Sequence, residues 1–231
     1  MAEGGEGRAH VAERDVGDLP FAVPEKRGSR FVARLAVVAD CRRTVRTPVH
    51  GGDAILDGEH AIERGFEAAG QLGAAGILVP FFGSGDLRKD KELKKADVDN
   101  VVSRMKDAAP KAKAAGVMLG LENTCSAKQN LDILDRIGSD AVGCYYDIGN
   151  SADNGYDVPA EIRALAGRIA MFHFKDDDTY IGEGKIKLPA VAEAIKAIEY
   201  KGWIVLETAC PTKNPEADAA KNVQIIRKAL G

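Results

Sequence analysis

From about residue 58 onward, apolar and polar positions settle into two alternating patterns. The first is a set of short, unbroken apolar runs: GILVP at 76–80, VMLGLEN at 117–123, AVGCYYD at 141–147, IAMFHFK at 169–175 and WIVLET at 203–208. Between them lie segments with one apolar face. EHAIERGFEAAGQLGA places Ile62, Phe66, Ala69 and Leu72 on one side of a helix that Gly73 would end. A charged helix is predicted over 90–115, kinked at Pro110. LDILDRIGS, EIRALAGR, LPAVAEAIKAIEYKG and EADAAKNVQIIRKAL supply the helices that follow. Strands without polar alternation are buried on both faces, which predicts a parallel sheet covered by helices. The pattern leaves open whether that sheet is doubly wound or a (βα)8 barrel.

The start of the chain lacks this regularity. Residues 1–30 mix Gly, Glu and Arg with Pro20 and Pro24, which predicts an irregular or disordered segment. FVARLAVVAD at 31–40 is expected to form one strand, and the turn-rich basic stretch CRRTVRTPVHGGD follows it. The domain is therefore expected to span 31–231.

Composition narrows the function classes. At 45% hydrophobic and 29% charged residues, the 231-residue chain has an ordinary globular make-up with enough apolar surface for a sizeable core. A net charge of −3 gives no general attraction to nucleic acid or anionic lipid. No apolar run reaches the roughly 18 residues of a membrane span, and MAEGGEGRAHVAERD has no signal-peptide core. The 4 cysteines (Cys41, Cys125, Cys144, Cys210) form no CxxC pair, so free thiols are expected, with Cys125 and Cys144 packed as small apolar residues. A cytoplasmic protein without nucleic-acid or membrane partners is the expectation; homo-oligomerisation is left open.

The chemistry sits at strand ends. Glu122, Asp147, His173 and Glu207 each fall at or near the C-terminal end of an apolar run, about one βα unit apart. In a barrel the C-terminal ends of parallel strands surround one mouth. Any one of these residues alone reads as a helix cap or a core histidine. Together they would bring three carboxylates to one point, where they would repel unless a cation were shared. An oxygen-rich set with one imidazole suits Mn²⁺ or Mg²⁺ best, with Co²⁺ or Zn²⁺ as further options.

The stretches LGAAGILVPF, GLENT, YYDIGNS, IAMFHFKDD and GEGKIKLPAVAEAIKAIEYKGWIVLET resemble the xylose isomerase-like barrels: sugar phosphate isomerase/epimerases, ketose 3-epimerases, hydroxypyruvate isomerases and inosose dehydratases. The resemblance covers about residues 58–231 and implies a TIM (βα)8-type barrel. It implies that Glu122, Asp147, His173 and Glu207 are the ligands of one divalent ion, with Glu122 and Glu207 doubling as the proton-transfer pair. A sugar isomerase or epimerase follows, working on a small carbohydrate through a metal-stabilised enediolate. A dehydratase on the same scaffold is the alternative, since both reactions begin by removing a proton next to a carbonyl. The related three-zinc endonucleases need more histidines than this sequence places at strand ends, and no GxGxxG follows a strand to suggest dinucleotide chemistry.

Substrate contacts are assigned to Lys175, Asn123 and Asn150. Strand alternation points Lys175 the same way as His173, toward the mouth, although simple pairing with Asp176 or Asp177 is the more ordinary role for it. Asn150 stands where several ketose epimerases carry a histidine. Gly182 and Gly184 are expected to form a tight turn, with Glu183 facing solvent. Eight βα units need about 250 residues, and in the family GILVP resembles the fourth strand. FVARLAVVAD is then the third, and the barrel is expected to be incomplete or irregular at its N-terminus, as in a truncated or frame-shifted chain. A catalytically impaired barrel is a further expectation.

Overall fold

The computed structural model describes residues 34–37 and 54–231. The irregular segment 1–30 and the basic stretch 41–53 lie outside them. In chain order the elements begin with β1 (Arg34–Val37), α1 (Ala54–Leu72) and β2 (Gly76–Pro80). The short strands β3 (Arg88–Lys89) and β4 (Glu92–Leu93) precede α2 (Lys95–Ala115), β5 (Met118–Glu122) and α3 (Ala127–Ile137). Then come β6 (Val142–Asp147), α4 (Ile148–Asp153), α5 (Val158–Leu165), β7 (Ile169–Phe174), α6 (Leu188–Ala197), β8 (Trp203–Leu206) and α7 (Pro215–Leu230).

Six strands form one parallel sheet in the order β1-β8-β7-β6-β5-β2. The five apolar runs are sequential neighbours with no reversal of order, which excludes the doubly wound alternative and is the arrangement of a TIM-type barrel. One expectation needs correction. Residues 34–37 do not precede β2 as a third strand; they pair with β8, Arg34 opposite Trp203 and Val37 opposite Leu206. That is the neighbour a first strand has when a barrel closes. Unit length cannot tell the two edges of a parallel sheet apart.

Burial follows the apolar runs. Every residue of β6 is buried, and Phe172 and Phe174 of β7 are fully enclosed with Leu119, Leu121, Leu134, Ile162, Leu165 and Ile195. Successive side chains of a strand point to opposite faces. Phe172 meets the rings of Tyr146, Phe174 and Tyr200 on one face of the sheet, so His173 between Phe172 and Phe174 faces the other way.

Two helix predictions shift. The charged helix begins at Lys95 rather than 90, because 88–93 fold back as the β3–β4 hairpin, with Asp90 and Lys91 at φ +52° and +70°. Two successive left-handed residues make the tight turn that a two-residue hairpin needs. The helix then runs on through Pro110 to Ala115. Leu72, counted on the apolar face of α1, is 78% exposed: it is the last helical residue, and Gly73 turns the chain there. Among the described residues no helix is long and apolar enough to cross a membrane.

Candidate metal centre

Glu122 is the last residue of β5, Asp147 the last of β6, and His173 the penultimate of β7, in register with Asp147. Glu207 follows β8 directly and its N–H donates to the Phe174 carbonyl, which continues the ladder by one step. Four adjacent parallel strands thus deliver their C-terminal side chains to the same end of the sheet. Each of the four offers a donor atom, and these atoms all lie within 4.8 Å of one another. The two glutamates come from the outermost of these four strands, and both lie near the same imidazole nitrogen, Glu122 Oε1 at 2.8 Å and Glu207 Oε2 at 3.7 Å.

Glu122, Asp147 and His173 are buried, at 4%, 4% and 7% exposure, while Glu207 is partly open. His173 Nδ1 is hydrogen-bonded to Glu122 Oε1 at 2.8 Å and stands 3.7 Å from Glu207 Oε2 and 3.9 Å from Asp147 Oδ2. Burial disfavours the charged imidazole, but the Glu122 hydrogen bond and the carboxylates of Glu122, Glu207 and Asp147 outweigh it, so its pKa lies above the ordinary value. The Tyr145 ring meets the imidazole edge-on, centroids 4.6 Å apart.

Asp147 has two roles. Its Oδ1 accepts the N–H groups of Gly149 and Asn150 and so caps α4. Its Oδ2 is buried and makes no well-aligned hydrogen bond, although Lys175 Nζ lies 2.8 Å away. Burial pushes the carboxyl up to about 6, against the pull of Lys175 and the Asn150 N–H. Three convergent carboxylates, one imidazole and an under-satisfied buried oxygen fit a divalent cation that prefers oxygen ligands.

Of the expected substrate contacts, Lys175 joins the cluster, 2.8 Å from Asp147 Oδ2 and 3.2 Å from Glu207 Oε2. It pairs with neither Asp176 nor Asp177. Asn123 turns inward: its amide donates to Asn130 Oδ1 and its oxygen accepts the Cys125 N–H. Asn150 uses its backbone, donating to Asp147 and accepting from the Asn154 amide. Cys125 and Cys144 are buried, and desolvation raises both thiols, Cys125 to about 12.

Two supporting residues escaped the sequence reading. Asp176, 7% exposed, accepts backbone N–H bonds from Asp177, Gly182, Gly184, Lys185 and Ile186, and so holds the whole loop after β7. Glu183 at its tip is exposed, as expected. Arg88 donates to Thr124 Oγ1 (2.9 Å), Asn154 Oδ1 (2.6 Å) and the Tyr156 hydroxyl, and ties the hairpin to the segments after β5 and α4. The DD after HFK was the available signal for Asp176; nothing local marked Arg88. A groove of about 430 Å³, lined by Met118, Val142 and Ile169 among others, opens at the opposite ends of β5, β6 and β7 and takes no part in the cluster.

Residues 54–229 match the sequence profile described as xylose isomerase-like TIM barrel. An alignment 149 positions long, covering 58% of this chain, is 30% identical to an uncharacterised protein of Methanocaldococcus jannaschii, 49% of which it covers. Another alignment, 119 positions long and covering 43% of this chain, is 29% identical to an Escherichia coli K12 protein provisionally named L-ribulose-5-phosphate 3-epimerase SgbU, 41% of which it covers. The chain thus spans just under half the length of these curated relatives. Among solved structures, an L-ribulose 3-epimerase superposes with a TM-score of 0.69 at 21% identity, over 79% of this chain and 70% of that one. A likeness at that identity is one of fold.

Proposed function

The chain belongs to the xylose isomerase-like TIM barrel family, and on that premise we propose that it is a divalent-metal-dependent isomerase or epimerase of a sugar or sugar phosphate. The observation that carries the reading is the convergence of Glu122, Asp147, His173 and Glu207 within 4.8 Å at the ends of four adjacent strands. The names of the E. coli relative and of the L-ribulose 3-epimerase support the substrate class.

Glu122, Asp147, His173 and Glu207 would hold the ion, Mn²⁺ or Mg²⁺ by the hardness of the donors. When bound, such an ion polarises the carbonyl and hydroxyl oxygens of an α-hydroxy ketone and makes the adjacent C–H more acidic. Glu122 and Glu207 come from the outer two of the four strands, so their carboxylates approach a substrate carbon from different sides. One removes the proton and the other returns it. Asp147, capping α4, and His173, held by the Glu122 hydrogen bond and the Tyr145 ring, serve as fixed supports. Lys175 stands beside Glu207, within reach of a substrate oxygen.

The test is turnover in D₂O with added Mn²⁺ or Mg²⁺ over a panel of ketoses, ketose phosphates, keto-inositols and hydroxypyruvate, followed by NMR. Deuterium at the carbon next to the carbonyl, together with an isomeric product, is expected. Loss of water would instead assign a lyase, and hydride transfer without solvent exchange would remove the two-carboxylate mechanism.

A further inference from the structure

Lys175 follows the last residue of β7 and shares a face with His173. Its ammonium contacts two of the four clustered carboxylate and imidazole side chains, Asp147 and Glu207, and its own side chain is 29% exposed. The acids next to it in sequence are engaged elsewhere: Asp176 with its loop, and Asp177 with Lys185 at 3.1 Å. The path of the lysine stem is also prepared. A Cβ built at Gly149 would overlap Lys175 Cγ and stand 3.1 Å from its Cε. Gly149 therefore supplies the bed for the stem, while its N–H holds Asp147 Oδ1 at 2.8 Å. One junction, β6 into α4, both orients the aspartate and admits the lysine that faces its other oxygen.

The geometry points to Lys175 as a built-in counter-ion of the metal centre, a positioning residue that keeps Asp147 and Glu207 together in the metal-free chain and competes with the divalent ion for the same two carboxylates. This rests on the metal reading of the site. Convergent carboxylates repel in a buried place, and an ammonium about 3 Å away offsets that repulsion. Once a divalent ion is present, two cations share a few ångströms, and the lysine then opposes binding. Its removal therefore acts with opposite sign on two quantities: metal-free stability falls and metal affinity rises. A lysine that mattered only for packing would lower stability and leave affinity alone. One that only touched substrate would move neither.

The experiment compares chelator-stripped parent, Lys175→Met and Lys175→Gln by calorimetric titration with Mn²⁺ and by thermal unfolding with and without Mn²⁺. Both variants should unfold at lower temperature without the ion and bind it about tenfold more tightly, the order expected for removing one like charge from a partly buried site. Gly149→Ala keeps the charge but displaces the stem, and should shift both quantities the same way by less. A variant that folds only when Mn²⁺ is present also supports the role; one that folds under neither condition counts against it. Parental or weaker Mn²⁺ affinity in both Lys175 variants, with normal binding by the parent, overturns this inference and leaves the metal reading standing. Absence of Mn²⁺ binding by the parent itself would remove the metal reading, and this inference with it.

Discussion

At the residue scale, the centre combines groups whose protonation works against metal binding. The folded Asp147 carboxyl titrates at about 6, above the value of about 3.9 for an unfolded aspartate. The folded metal-free chain therefore holds this proton more tightly than the unfolded chain does. That contribution to stability is full below about pH 4 and is lost as pH rises through about 6. His173, also raised, acts in the same direction. A divalent ion needs both groups deprotonated, so the rise in unfolding temperature on adding Mn²⁺ should be larger at about pH 7.5 than at about pH 5. A pH-independent rise would argue that these side chains do not hold the ion. On the proposed chemistry, Glu122→Gln and Glu207→Gln should each lower kcat by about 10²–10⁴-fold, the usual contribution of a positioned acid or base. Steady-state kinetics with saturating metal would check this, and full activity in both variants would contradict it. The four candidate ligands were legible in the sequence because each ends an apolar run. A helix cap was the reading for a strand-end aspartate taken alone; that Asp147 caps α4 and joins the cluster at once was not legible, since α4 is six residues long and shows no periodicity of its own.

At the element scale, the loop from Asp176 to Ile186 is organised by one buried carboxylate. Asp176→Ala would leave five backbone N–H groups without their acceptor. The expected loss is about 2 kcal/mol or more by urea unfolding, the cost of stranding part-buried donors. Gly184→Ala should behave similarly, because its Cβ would collide with Asp176 Oδ1. A change within about 0.5 kcal/mol for both variants would show that the loop is held by other means. Regular elements were readable where a local rule applies. The apolar period of LDILDRIGS marked α3, which Gly138 ends in the left-handed conformation, but the helix starts earlier than that period, at Ala127, behind the capping box of Ser126 and Gln129. The β3–β4 hairpin was not readable, because Asp90 and Lys91 occupy left-handed positions where glycine or asparagine is the usual signal. A run of charges around them reads instead as helix.

At the scale of the whole molecule, β5, β6, β7 and β8 lie side by side in chain order, so one stretch of chain supplies the entire cluster. That order was legible because each apolar run is followed by one crossover of helical period, and such crossovers place parallel strands next to each other. The place of Arg34–Val37 beside β8 was not legible, since pairing with a sheet edge depends on a contact between distant parts of the chain. A cluster built from four strands would couple ion binding to the packing of the sheet. Any ligand that prefers the folded form stabilises it by mass action, about 2.7 kcal/mol at one hundred times its Kd. The most direct measurement of the account is therefore a calorimetric titration of the chelator-stripped chain with Mn²⁺, run beside His173→Ala. One ion per chain, with affinity lost or reduced by at least about tenfold in the variant, is the predicted result. No binding by the parent, or unchanged affinity in His173→Ala, would contradict the assignment of Glu122, Asp147, His173 and Glu207 as a metal centre.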